Sequence, residues 1–106
     1  MKSANPSTSC AEKFKILADS TRLGVLETLM TGPKHVGELM ETLEVEQSLL
    51  SHHLAVLRDH GLVEGIRKGK RVVYQVPKHI TGSTAGKAIN LGCCTISFDQ
   101  HCRDAS

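Results

Sequence analysis

The chain has 106 residues and a formal net charge of +2, with 40% hydrophobic but only 3% aromatic residues. One domain with an aliphatic core accounts for that length; it leaves no room for a separate catalytic domain, and the scarcity of aromatics excludes a base-stacking RNA platform. Charge is uneven, with 6 basic against 8 acidic residues up to Gly61 and 7 against 3 after it, so attraction for a polyanion concentrates in the second part.

Met1 to Cys10 is polar, lacks the apolar run of a signal peptide and is expected to be a flexible tail; no stretch is long enough to span a bilayer, which points to a cytoplasmic protein. Helical spacing starts at Ala11, with Phe14, Leu17 and Ala18 apolar. Asp19 and Ser20 can cap a second helix whose stripe is Leu23, Leu26, Leu29 and Met30 and which Gly32-Pro33 ends. A short third helix begins near His35, with Val36, Leu39, Met40 and Leu43 at the same period. Glu44 and Val45 leave only a tight connection to a fourth, Glu46 to Asp59, whose stripe Leu50, Leu54 and Leu57 stops at Gly61. Two helices so closely joined predict a helix-turn-helix. Leu62 to Arg67 and Lys70 to Val76 then predict two strands around Lys68-Gly69, a hairpin wing. Beyond Pro77 the small residues through Gly86 predict a loop, and only Ile89 to Phe98 reads as ordered, Thr95 to Phe98 alternating like a strand. The expected architecture is mainly α with a small β-hairpin. It forms a single domain over residues 1–106, with a tail at 1–10, helices and wing at 11–78, and a cysteine-containing extension at 79–106.

The fourth helix carries two chemistries. Its leucines face inward, while Gln47, Ser48, Ser51 and His52 lie on the outer, N-terminal part, where amides and hydroxyls can bond base edges in a major groove. A merely solvated polar face has the same composition. Arg67, Lys68, Lys70 and Arg71 gather at the hairpin and suit phosphates or a minor groove, although a solvated hairpin tip looks alike. Arg58 is equally suited to DNA or to pairing with an acid; Leu49 could touch a thymine methyl but is expected to complete the core.

From Phe14 through Val76 the chain resembles the ArsR/SmtB family of winged helix-turn-helix transcriptional repressors. The resemblance rests on Leu17-Ala18-Asp19-Ser20-Thr21-Arg22, Val36-Gly37-Glu38-Leu39, Ser51-His52-His53-Leu54 with Leu57-Arg58, Gly61-Leu62-Val63, and Arg67-Lys68-Gly69-Lys70 followed by Tyr74. It implies a homodimer on double-stranded DNA with an inverted repeat, recognition helices in successive major grooves and wings at flanking phosphates. Arg22 and Tyr74 match positions expected to be structural. Glu46 departs from the family, standing where a serine N-cap is frequent; its carboxylate suits the helix dipole but repels phosphate.

Family members commonly release DNA when a metal or metalloid binds, but two familiar sites are missing from the sequence: the recognition-helix region has no cysteine, and no clear His and carboxylate pair follows Lys78. In a reducing compartment the four cysteines read as free thiols, metal ligands or redox groups. Cys93, Cys94 and Cys102 are the expected ligands of a thiophilic inducer, As(III) foremost, since soft ions select sulfur; no permanently bound cofactor is expected. Adjacent residues of a regular strand point to opposite faces, so the pair can share one ion only if the chain turns at Gly92. His101 could assist, and Cys10 could complete the site across the dimer. The same cysteines suit a redox or reactive-sulfur sensor, and packing of Cys94 with Ile96 and Phe98 as a small buried hydrophobe, with Cys93 inert, is the purely structural alternative. No CxxC motif or catalytic surroundings support an enzyme; a thiol-rich metal carrier that binds no DNA and a winged helix used only for protein contacts are the remaining alternatives.

Overall fold

The computed structural model describes residues 6–81 and 88–98. The first helix, α1 (Pro6–Leu17), begins inside the segment expected to be a flexible tail. Proline suits a first helical position, where its fixed φ is already helical and its missing N–H is no loss. Leu17 is buried, whereas Phe14 remains 49% exposed. The second helix, α2 (Ser20–Leu29), is capped as expected: the Asp19 carboxylate accepts the N–H groups of Thr21 (2.9 Å) and Arg22 (3.1 Å). These donors, chiefly that of Arg22, hold the Asp19 carboxyl below its ordinary pKa. The inward face of α2 is Val25, Leu26 and Leu29, while Leu23 is 37% exposed. Gly24 explains this rotation. A Cβ there would lie 3.0 Å from Leu43 Cδ2, so the glycine lets α2 approach its neighbour along a line that apolar spacing does not mark.

A two-residue strand, β1 (Lys34–His35), leads directly into α3 (Val36–Leu43). His35 is the N-cap: its Nδ1 accepts the Glu38 N–H (3.4 Å), and Glu38 Oε1 accepts the His35 N–H (3.0 Å), a reciprocal capping box. The chain leaves α3 through Glu44 at φ 56°, whose N–H reaches Met40 O at 2.8 Å, and enters α4 (Gln47–Asp59). This is the expected helix-turn-helix. Leu50, Leu54 and Leu57 are all buried. A Schellman arrangement ends α4, with the N–H of Leu62 on Leu57 O (2.9 Å) and that of Gly61 on Arg58 O (3.0 Å).

The wing consists of β2 (Glu64–Lys68) and β3 (Arg71–Gln75), antiparallel with Lys68 opposite Arg71. The turn is therefore Gly69-Lys70, one position later than predicted, and Gly69 takes the positive φ (65°) that a type II′ turn needs first. β1 pairs along the other edge of β3, Lys34 opposite Tyr74 and His35 opposite Val73, giving the order β1-β3-β2. After Pro77 a single helical turn, α5 (Lys78–Thr81), stands where a loop was predicted. A second hairpin pairs β4 (Ala88–Asn90) with β5 (Thr95–Ser97), Ile89 opposite Ile96. Ile89 joins Leu26, Leu39, Leu50, Leu54, Leu57 and Leu62 among the fully buried side chains, each contributing roughly 1.5–3 kcal/mol through burial.

His53 is the buried polar residue of the core, 6% exposed. Arg22 Nε donates to its Nδ1 at 2.9 Å, and Arg22 Nη1 donates to Ile16 O at 3.2 Å, so one guanidinium ties α1, α2 and α4 together. Burial lowers the His53 pKa from its ordinary 6.5, opposed by the charge of Asp19 and aided by that of Arg22. Between the folded and unfolded values the unfolded chain binds more protons, so stability is lost as pH falls from 6.5 through the folded value. Thermal melts in that window should show a falling midpoint for the wild type and a flatter dependence for His53→Gln; equal slopes would separate this histidine from the pH response. At neutral pH His53→Phe should cost about 1–3 kcal/mol, because Arg22 Nε is left without its acceptor.

Candidate nucleic-acid interface and thiol cluster

The buried leucine face of α4 determines what its opposite face offers. Gln47, Ser48, Ser51 and His52 are all exposed, as the alternation along the helix predicts. Leu49 is exposed too, at 44%, and does not complete the core as expected. Its neighbour Leu50 already fills the inward position, and one residue along a helix turns the side chain by about 100°. Arg67, Lys68, Lys70 and Arg71 are exposed around the wing turn. The two sets meet. A concavity of about 530 Å³ is lined by Gln47 and Ser51 of α4, Arg71, Val72 and Tyr74 of β3, and His35 to Gly37 at the start of α3. Arg58 is exposed and makes no ion pair among the described residues. Arg22 and Tyr74 are structural, the former by the bonds above and the latter packed against the core. Within the described residues no helix is long and apolar enough to cross a membrane.

Glu46 is the N-cap of α4, yet its side chain makes no capping bond and accepts instead from Ser48 Oγ at 3.1 Å. The first N–H groups of α4 thus lack a side-chain acceptor beside the exposed amide and hydroxyls.

The cysteines are arranged otherwise than the sequence suggests. Cys10, on α1, lies beside Cys93 and Cys94 of its own chain: Cys10 and Cys93 form a disulfide with Cα atoms 6.0 Å apart, and Cys10 Sγ is 3.8 Å from Cys94 Sγ. Of the three readings open for the cysteines, free thiol is thus not the state of Cys10 and Cys93, while Cys94 is free and half-buried. All three sulfurs lie within 4.8 Å of one another. The objection from strand geometry does not apply, because the pair is not in a regular strand. The Leu91 N–H bonds Cys94 O at 2.8 Å across a Gly92-Cys93 turn, Gly92 has φ 95°, and β5 begins only at Thr95. Cys93 is exposed at the turn, and Cys94 packs against the core with Ile96 and Phe98. Cys102 and His101 lie outside the described residues. The sequence offers Cys10 only as a residue completing the site across the dimer, because nothing in the spacing shows that α1 returns to the second hairpin of its own chain.

Residues 19–65 match the family model described as bacterial regulatory protein, arsR family. The chain is 44% identical over 68 residues to the arsenical resistance operon repressor of Escherichia coli, covering 63% of this chain and 58% of that one. It is 33% identical over 99 residues to a probable mercury resistance operon repressor of Streptomyces lividans, covering 86% and 78%. Among solved structures it is similar to the homodimeric winged helix-turn-helix DNA-binding domain Mb0332 of Mycobacterium bovis, a possible ArsR-family regulator, with 26% identity, a TM-score of 0.64, and coverage of 80% and 78%. The chain spans little more than half the length of several curated relatives, the E. coli repressor among them.

Replacing Glu46 by Ser should stabilise the fold by about 0.5–1 kcal/mol, since a serine hydroxyl reaches the N2 or N3 N–H that the carboxylate leaves unbonded. Denaturant melts of the two proteins measure the difference, and a less stable Glu46→Ser protein would mean that the Ser48 bond matters more than the cap.

Proposed function

This chain belongs to the ArsR family of bacterial regulatory proteins, and we propose on that footing that it is a transcriptional repressor that binds DNA as a homodimer and releases it when a thiophilic ion, As(III) foremost, binds its C-terminal cysteines. The observation that carries the DNA-binding half is the concavity shared by Gln47, Ser51 and Arg71, which joins hydrogen-bonding side chains to the basic wing. In this reading Gln47, Ser48, Ser51 and His52 meet base edges of an inverted repeat, while Arg67, Lys68, Lys70 and Arg71 meet phosphates. The homodimeric state of Mb0332 supports a dimer, and exposed Phe14 on α1 is a surface available to it.

For the inducer, the support is the sulfur cluster and the names of two relatives, an arsenical and a probable mercury resistance repressor. Cys93 and Cys94 are the proposed ligands, with Cys102 a further candidate. Release requires the ion to bind the DNA-free conformation more tightly than the DNA-bound one. A second reading has its own observation, the Cys10–Cys93 disulfide. A peroxide oxidant would take two electrons and two protons from that thiol pair, forming the S–S bond and two waters, and release DNA without any ion. Titrating a fluorescent inverted-repeat complex with As(III), then separately with peroxide, distinguishes the two; failure to bind any duplex leaves a protein-interaction module.

Lys70→Ala with Arg71→Ala should weaken binding to all duplexes alike and make the slope of log K against log salt shallower by about 1–2, because each phosphate contact contributes about 0.9. An unchanged slope would remove the wing from the interface. Gln47→Ala or Ser51→Ala should change sequence preference by about 1–3 kcal/mol at one position, read from competition between single-base variants of the operator. Cys93→Ser with Cys94→Ser should bind the operator normally and ignore As(III), and a double variant still released at the wild-type concentration would refute the C-terminal site.

A further inference from the structure

We infer that the third sulfur of the ion site is Cys10 of the same protomer, so that one As(III) or Sb(III) ion cross-links α1 to the turn of the second hairpin. This rests on the reading of Cys93 and Cys94 as inducer ligands and extends it to a residue at the other end of the chain. Two thiolates held at about 2.3 Å, the typical zinc–sulfur length, can be no more than about 4.6 Å apart. Cys10 and Cys94 already satisfy that limit at 3.8 Å. The sulfur of Cys93, on an exposed turn residue, is bonded to that of Cys10, and the whole cluster falls within 4.8 Å, so that once the disulfide is opened only a small adjustment brings all three within the limit.

The approach is held from both sides. α1 is anchored by buried Leu17, and the hairpin by buried Ile89 and Leu91, with Cys94 packed against the same core. The sulfurs therefore converge without the ion having to order two loose segments. The donors among the described residues favour one class of ion. Among the described residues the cluster holds these three cysteines and no histidine or carboxylate; zinc favours four ligands, whereas As(III), with its lone pair, takes three. The reaction balances simply: arsenous acid and three thiols exchange three As–O bonds for three As–S bonds, and the three thiol protons leave in three waters. The disulfide must first be opened. A phosphine reductant does so with one water, yielding two thiols and the phosphine oxide, so the Cys10–Cys93 bond and the ion exclude one another.

The test uses the full chain, reduced with a trialkyl phosphine and titrated with arsenite. X-ray absorption should count three sulfurs around arsenic in the wild type and in Cys102→Ser, but only two in Cys10→Ser. Arsenite affinity should fall in Cys10→Ser by at least the roughly tenfold that even an outer-shell change causes. Mixing Cys10→Ser chains with Cys93→Ser/Cys94→Ser chains should restore no three-sulfur site. Three sulfurs retained in Cys10→Ser, or their loss in Cys102→Ser, would overturn the assignment, and restoration on mixing would place the site across the dimer. Operator release is read separately. A three-sulfur site that forms while DNA stays bound would sink the repressor switch and leave the ligand set intact.

Discussion

Leu50, Leu54 and Leu57 leave α4 only one way to lie, because three leucines on one stripe must all be buried and any rotation would bring Gln47 or Ser51 inward in their place. That constraint is reinforced by His53, which sits on the same inward side and accepts from Arg22. The hydrogen bond is directional where leucine packing is not, so it fixes the rotation of α4 relative to α2 as well as its depth. The side chains proposed to read DNA make few contacts of their own with the fold. Their placement is inherited from the opposite face of the helix.

Much of this was legible in the sequence, and the reasons differ by element. α4 could be read because its apolar period and its glycine stop agree, and the Asp19 cap because aspartate before a helical run has one obvious partner set. Leu23 and Leu49 misled for a common reason. Apolar spacing assumes that a neighbour lies along the leucine line, whereas Gly24 moves the contact of α2 sideways and Leu50 already occupies the inward position on α4. β1 was invisible, since two residues cannot show a period. The exposed face of α4, with Gln47, Ser48, Ser51 and His52, was readable from helix phase, and the basic wing from its clustered charge. Of the thiol cluster, Cys93 and Cys94 were readable but the approach of Cys10 within the same chain was not, because it is 84 residues from Cys94 and only tertiary packing brings them together.

The cluster also shows how a short extension gains a stable position. β4 and β5 have three residues each, too few for an independent hairpin, yet Ile89 and Leu91 enter the core formed by the helices. The turn between them can then present an exposed cysteine without becoming loose. Gly92 supplies the positive φ that points Cys93 away from the strand pleat and toward α1.

β1 carries a mechanical consequence beyond its two residues. His35 is at once the last residue of that strand, opposite Val73, and the residue that caps α3. The wing is thereby riveted to the beginning of the helix-turn-helix, and β3 cannot swing without dragging α3 along. Helix and wing thus behave as one stiff head. If the proposed repressor lets go of its operator as a dimer, two such stiff heads can leave it through a change in the angle between them, without either head bending.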